Sequence, residues 1–282
     1  MTGRFTAGLV QMRSGRTPDA NIAFAESLIR EAAAEGADYV LTPEMTNILD
    51  RSANRVLGAA QIEQEDPALS RFRNVAEELK IWLHIGSLAI RGAMGVVDRS
   101  YLIGPDGAIA ARYDKIHMFD VDLPGGETWR ESRLYSPGDQ AVVADLPWTR
   151  LGLTICYDLR FPQLFRSLAH AGATVMAVPA AFTRQTGQAH WHVLLRARAI
   201  ETGSFVLAAA QGGKHEDGRE TFGHSMIVDP WGRILAEAGD TPGIIMAEID
   251  PDASLAVRRQ IPTLQHDRSF APPQPVEIAE AS

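Results

Sequence analysis

The sequence predicts an α/β fold built from two similar halves, and three observations carry that prediction. Short apolar runs of strand length alternate with longer segments of helical apolar spacing. A hairpin pattern occurs twice, first as Ser100-Tyr-Leu-Ile, Gly-Pro-Asp-Gly, Ala-Ile-Ala-Ala and then as Ser225-Met-Ile-Val, Asp-Pro-Trp-Gly, Arg-Ile-Leu-Ala. Three reactive side chains, Glu44, Lys115 and Cys156, each stand at the end of an apolar strand. A repeated strand–helix–strand–hairpin unit implies two sheets packed together with helices outside.

Phe5 to Met12 is the first strand, centred on Leu9 and Val10. Thr17-Pro18-Asp19 starts a helix, with Thr17 as N-cap and Pro18 in the first turn, where its missing N–H would have no partner. Ile22, Ala25, Leu28, Ile29 and Ala32 line one face of that helix, and Gly36 ends it. Tyr39 to Thr42 is a short buried strand that Pro43-Glu44 ends. Residues 47–66 are polar and carry no periodic pattern. A second helix spans 67–80, a strand runs over 82–90, and the first hairpin continues into Arg112-Tyr-Asp-Lys115. Residues 116–140, rich in Gly, Pro and charge, form too long a connection to be a plain turn and read as a loop of the site. Leu151 to Ile155 is a strand that stops at Cys156, and Pro162 opens a helix over 163–170. A strand over 173–178, a strand-end loop over 179–184, a helix over 188–202 and a strand over 204–210 follow. After the second hairpin, 243–250 is the last strand. From Pro251 the chain reads as a polar, extended arm of the kind that packs on a partner subunit. Residues 1–270 are expected to form one domain and 271–282 a tail.

The formal charge of −8 and a pI near 5.5 speak against nucleic acid or anionic membranes as partners. One cysteine rules out an intramolecular disulfide and a cysteine-rich zinc site. The first residues lack the pattern of a signal peptide, and no apolar run reaches the ~20 residues of a membrane helix. A soluble cytoplasmic protein is expected. His190 and His192 are two apart on a helix and face different sides, so with His224 they offer no metal-ligand spacing. Glu216-Asp-Gly-Arg-Glu220 reads as an exposed turn.

In an α/β sheet the ligand crevice lies beyond the carboxyl ends of the strands, so strands ending on one rim would gather Glu44, Lys115 and Cys156. A free thiol has a pKa of ~8.5 and is mostly protonated at neutral pH. A neighbouring lysine would lower that pKa, and a carboxylate can take the proton. The set makes an acyl-transfer site that needs no histidine.

Three motifs, Thr42-Pro-Glu-Met45, Tyr113-Asp-Lys-Ile-His-Met-Phe-Asp120 and Ile155-Cys-Tyr-Asp-Leu-Arg-Phe-Pro162, occur in this order. Through them the sequence resembles the nitrilase (carbon–nitrogen hydrolase) superfamily from Phe5 to Phe270. The resemblance implies a four-layer αββα sandwich with Glu44 as general base, Lys115 as oxyanion-stabilising cation and Cys156 as nucleophile. Glu131, in Trp129-Arg-Glu-Ser132, matches the second glutamate of the family, with Glu127 close enough to compete for that role. The Tyr157 N–H is the second oxyanion donor. No metal or organic cofactor is implied, and a homodimer is.

The segments 180–183, 187–191, 194–201 and 223–232 look most like the Nit branch of amidases. That likeness implies hydrolysis of a small carboxamide to a carboxylate and ammonia through a thioester. Deaminated glutathione is the expected substrate and α-ketoglutaramate the alternative. Both carry an α-keto acid, so a cation is expected in the pocket, and Arg160 is the choice. Phe182 and Thr186 match lining positions, while Arg196 and Arg198 read as structural. A reading of another class is a catalytically silent protein of this fold that binds an acid or a partner protein. Replacing Cys156 by Ala separates the two.

Overall fold

Apolar residues at period two build two sheets, and helices with one apolar stripe cover them. The structure, a computed structural model, describes residues 3–275. The first half runs β1 (Phe5–Gln11), α1 (Pro18–Ala34), β2 (Tyr39–Leu41), α2 (Ala53–Ala59), α3 (Pro67–Leu79), β3 (Trp82–Gly92), β4 (Gly95–Ile103), β5 (Ile109–Asp114), β6 (Asp120–Asp122), β7 (Thr128–Arg130) and β8 (Val142–Asp145). The second runs β9 (Arg150–Leu153), α4 (Pro162–His170), β10 (Val175–Ala177), α5 (Arg184–Thr202), β11 (Phe205–Ala208), β12 (Gly212–Lys214), β13 (Glu220–Phe222), β14 (Met226–Val228), β15 (Ile234–Glu237), β16 (Gly243–Ile249) and α6 (Pro251–Gln260).

One six-stranded sheet has the order β16-β1-β2-β3-β4-β5 and the other β15-β14-β11-β10-β9-β8. In each, three parallel strands joined by helices are followed by an antiparallel hairpin and flanked by one antiparallel edge strand. The repeated hairpins at 100–111 and 225–236 occupy equivalent places in the two sheets. Ala7, Leu9, Tyr39 and Leu41 join Leu151, Leu153, Val175 and Leu207 in one core between the sheets. Val10 and Val40 point the other way, onto α1 and α3. Leu164, Phe165, Trp191 and Leu195 bring α4 and α5 onto the outer face of the second sheet. The layers are therefore α, β, β, α. A buried polar pin crosses the first sheet: His84 joins the Tyr39 hydroxyl at 2.6 Å and the Ser100 hydroxyl at 2.7 Å. Burial pushes the His84 pKa down to about 3, so the ring is neutral.

Several elements differ from the sequence reading. The chain from Pro251 is not an extended arm but helix α6, with the Asp250 carboxylate capping it and Pro251 in its first turn. Arg258 on α6 donates to the Thr202 carbonyl at 3.0 Å and the Ala173 carbonyl at 2.5 Å, so the helix docks on its own half of the molecule. Asp267 beyond it pairs with Arg166 and His170 of α4. The remainder of the expected tail, residues 276–282, lies outside the described residues. Helix α5 starts at Arg184, four residues early, because the Thr183 hydroxyl caps it by accepting from the Thr186 N–H. Thr17 stands at the start of α1 but its hydroxyl makes no capping bond. Residues 47–66 hold the short helix α2, and 116–140 hold the hairpin β6–β7.

Candidate active site

Glu44 follows β2 and Lys115 follows β5, both in the first sheet, whereas Cys156 follows β9 in the second. The groups thus meet where the strand ends of two sheets face each other, and not on the rim of a single sheet. Between them lies a cavity of about 360 Å³. It is lined by Glu44, Lys115, Glu131 and Cys156, and also by Tyr157, Phe182 and Thr186.

Cys156 opens a short 3₁₀ turn over Cys156–Arg160 with φ of 48°, a left-handed conformation that a non-glycine residue adopts at a cost. Buried bonds hold it there. The Cys156 N–H donates to the Pro179 carbonyl at 2.8 Å. Asp158, fully buried, accepts from the Ile155 N–H at 2.8 Å, the Tyr113 hydroxyl at 2.6 Å and the His117 N–H at 3.1 Å. Two of the three motifs are in this way tied to each other. From behind, the Arg198 guanidinium donates twice to the Leu159 carbonyl, at 2.9 and 2.7 Å. The corner leaves the first N–H groups of the turn, Tyr157 among them, beyond the reach of intrahelical partners.

Lys115 sits between two glutamates. Glu44 Oε1 accepts from its ammonium at 2.7 Å, and Glu131 accepts at 2.7 and 2.9 Å. Glu127 instead accepts from the Trp129 indole at 3.0 Å, so of the two candidates Glu131 is the one in contact with Lys115. The other oxygen of Glu44 accepts from the Ala181 N–H at 2.7 Å. Its main chain is fixed by Gln211, whose amide donates to the Glu44 carbonyl at 2.9 Å. Beneath the loop, Gly86 leaves room: a Cβ there would lie 2.1 Å from the Thr42 carbonyl oxygen and 2.5 Å from that of Pro43.

Charges in this closed space decide one another. Burial opposes the charge of Lys115, but Glu131 and Glu44 outweigh it and raise its pKa well above the usual value. Burial likewise opposes the charge of Glu44, and Lys115 outweighs it, so the Glu44 pKa is lowered and the carboxylate is ionised. The Cys156 thiol moves the other way from the sequence expectation. Burial and then the Glu44 charge push its pKa well up, and Lys115 only opposes them, because its charge is already shared between two carboxylates. The resting thiol is therefore protonated. A fourth carboxyl, Asp98, is 1% exposed, and neither of its oxygens makes a hydrogen bond among the described residues. Burial and the Glu44 charge hold its pKa well above the usual range.

Arg160 stands at the edge. Its guanidinium lies 5.4 Å from the Phe182 ring centroid and 5.9 Å from that of Tyr157, and Nη1 is 3.3 Å from His190 Nδ1. It is absent from the cavity lining. The sequence reading missed the arginines that do line it, Arg51, Arg130, Arg133 and Arg219, of which Arg219 and Arg51 pack on the Trp129 indole. The turn over 216–220 is present, but Arg219 folds inward from it and is 7% exposed. No local pattern marks that side chain as buried. Away from the cavity, His192 and His224 each lie 2.8 Å from one oxygen of Glu237. Helical spacing alone could not foresee this cluster, since three separate elements supply it.

A carbon–nitrogen hydrolase family model matches residues 6–259. A deaminated glutathione amidase of Yersinia enterocolitica is 41% identical over 264 residues, covering 92% of this chain and 92% of that protein. The human omega-amidase NIT2 is 37% identical over 265 residues, covering 94% of this chain and 95% of that protein. The NitFhit protein of C. elegans superposes with a TM-score of 0.89 at 35% identity, covering 95% of this chain and 66% of that one. Taken with the two-sheet αββα architecture and a match that spans nearly all of the described chain, this shows that the protein belongs to the carbon–nitrogen hydrolase family of the nitrilase superfamily and is a hydrolase.

Proposed function

We propose that this hydrolase is a cysteine amidase acting on deaminated glutathione. The observation that carries the reading is the buried Glu44–Lys115–Glu131 chain of ion pairs that shares one cavity with the Cys156 thiol. The relatives named above support the substrate, and α-ketoglutaramate, the type of amide the omega-amidase name describes, is the alternative. The reading takes residues 1–270 as one hydrolase domain with 271–282 as its tail.

Chemistry follows from the protonation states. Glu44 takes the thiol proton as Sγ of Cys156 bonds to the amide carbon, and the carbonyl electrons move onto oxygen. The Lys115 ammonium and the Tyr157 N–H hold that oxyanion, one such donor being worth ~3–4 kcal/mol of barrier. Glu131 keeps Lys115 charged and aimed. Glu44 returns the proton to the amide nitrogen, the C–N bond breaks, and a thioester remains. Water, deprotonated by Glu44, then attacks the thioester carbon; the C–S bond breaks and the proton goes back to sulfur. With α-ketoglutaramate the leaving group is ammonia. The amides of deaminated glutathione are all secondary, so there it is an amine, the cysteinylglycine end, in place of the ammonia expected from the sequence.

The reading includes a homodimer in the cytoplasm. Val193 and Ile200 on α5 and Trp231, Ile234 and Leu235 on the β14–β15 hairpin are exposed, and Ile200 lies against Gly232 of that hairpin, so they form one apolar face suited to a second copy. A free thiol at the site favours a reducing compartment.

Product release from deaminated glutathione and from α-ketoglutaramate, compared as kcat/KM, tests the substrate. A preference of tenfold or more for the first supports the reading, and the reverse makes the enzyme an omega-amidase. Cys156→Ala is expected to abolish turnover of both, and surviving turnover overturns the mechanism.

A further inference from the structure

Arg219 is buried beside one carboxylate, that of Asp217, but makes no hydrogen bond to it. Among the described residues no oxygen accepts a hydrogen bond from its guanidinium, and Nε is an orphaned buried donor. Asp217 Oδ2, also buried and without a hydrogen bond, forms a loose ion pair with Nε at 3.7 Å, too far to bond, and Asp217 Oδ1 accepts from the Arg219 main-chain N–H at 2.8 Å, so the pair leaves the fork of the guanidinium open. Nη1 faces Met45 Sδ at 3.7 Å, which puts the open fork of the guanidinium beside the residue that follows Glu44. Buried charges in folded proteins are paired, and an arginine fork fits a carboxylate with two parallel bonds.

A second cation stands close by. The Arg219 guanidinium carbon is 4.3 Å from the Trp129 ring centroid and that of Arg51 is 4.8 Å from it. Three separate segments bring these groups together: the turn between β12 and β13, the β6–β7 hairpin, and the stretch before α2. Each has one carboxylate at ion-pair distance but beyond a hydrogen bond, Glu127 at 3.7 Å from Arg51 and Asp217 at 3.7 Å from Arg219, so an anion entering between the two guanidiniums would be held by both. Arg219 and Arg51 both line the cavity that holds Cys156.

We propose that Arg219, assisted by Arg51, is the anion seat of this pocket and binds a carboxylate that the substrate carries on its acyl half. The proposal rests on the amidase reading and moves the carboxylate contact from Arg160 to Arg219. The acyl half is the part that stays behind as the thioester, so it belongs in the buried end, whereas the leaving group has to escape to solvent. A neutral amide of equal length offers this seat nothing to hold and is disfavoured. The resident charge of Lys115 is spent on two glutamates and does not compete for this anion.

The test separates binding from turnover. In a Cys156→Ala background, glutaramate (an amide with a carboxylate) and pentanamide (its neutral counterpart of equal length) are titrated by calorimetry. Glutaramate is expected to bind at least tenfold tighter. Arg219→Gln in that background is expected to weaken glutaramate thirtyfold or more while pentanamide changes less than threefold, and Arg219→Lys to recover part of the loss. Equal weakening of both ligands would assign Arg219 a purely structural role, and unchanged or undetectable glutaramate binding to the Cys156→Ala protein would overturn the proposal as well. With Cys156 intact, the Arg219→Gln effect is expected in KM for glutaramate and not in kcat. Failure of the amidase reading looks different: no amide is turned over although the Arg219-dependent preference for glutaramate persists.

Discussion

Asp98 shows how a single side chain in this site carries a proton that its sequence position gives no reason to expect. A carboxyl with a raised folded-state pKa is protonated in the folded chain at pH values where the unfolded chain releases that proton. Its contribution to stability therefore falls as pH rises above the unfolded value of ~3.9 and stops falling above the folded one. Asp98→Asn supplies a neutral side chain of the same shape and removes that dependence. Thermal unfolding is expected to show Asp98→Asn more stable than the parent at pH 8, with the difference shrinking as pH falls toward 5. A constant difference would mean that Asp98 is ionised in the folded protein. The same logic applies to turnover. With Glu44 depressed and Cys156 raised, the reactive pair exists as carboxylate plus thiol across neutrality. A profile of kcat/KM that is flat between about pH 6 and 8 is expected, where a thiolate-dependent enzyme would climb. On the proposed mechanism Glu44→Gln removes the proton acceptor, and kcat is expected to fall by about 10²–10⁴.

Two elements hold the reactive groups in register, and each has a point at which it can be broken. Strand β3 passes under the Glu44 loop at Gly86, where the register against β4 shifts between Ile85 and Leu88. A methyl group there runs into main-chain oxygens that cannot yield, unlike the tip of a flexible side chain. Gly86→Ala is expected to destabilise the fold by about 1–3 kcal/mol and to lower kcat by displacing Glu44, read by thermal unfolding and by steady-state kinetics. Helix α5 acts on the other reactive group. Arg198, 5% exposed, is its contact to the Cys156 turn, and Arg198→Met removes two charge-assisted bonds to the Leu159 carbonyl. A loss of about 1.5–3 kcal/mol is expected, with kcat falling together with stability because the 3₁₀ turn relaxes from its left-handed start.

At the scale of the whole molecule the two sheets are a repeat whose halves have divided the labour. The first sheet supplies Glu44 and Lys115, the second supplies Cys156 and the Ala181 N–H, and neither half holds a complete site. Chain association belongs to this scale too. Light scattering is expected to show a dimer in solution, and Ile200→Glu to shift it to monomer by placing a charge on the exposed face of α5. Truncation after residue 270 is expected to leave the dimer intact. Truncation at Pro251 is expected to fail in folding, because it removes the buried Ser254 and the Arg258 bonds that close the end of α5.

What the sequence determined by itself was local or motif-bound. The period of Ile22, Ala25, Leu28, Ile29 and Ala32, the strand ends at Glu44 and Cys156, and the twin hairpins are all consequences of short-range geometry, and a linear reading recovers them. The three motifs could be read because main-chain turns and buried partners restrict which residues can stand there, as Asp158 does by bonding Tyr113 and the His117 N–H. Only the tertiary structure decided the rest. Arg219 sits in a turn whose residues look exposed, and its burial depends on the Trp129 indole of β7 that it packs on. Proximity to Lys115 alone gives the wrong direction for the thiol pKa, because burial and the Glu44 charge outweigh a lysine that Glu131 and Glu44 already hold. The segment from Pro251 reads as polar because α6 buries few side chains, Pro251 and Ser254 among them, and a helix held mainly by its cap and by arginine bonds leaves almost no periodic trace. Chain-local patterns are fixed by the residues that make them; charge states and inward-facing cations are fixed by neighbours that the sequence places a hundred residues away.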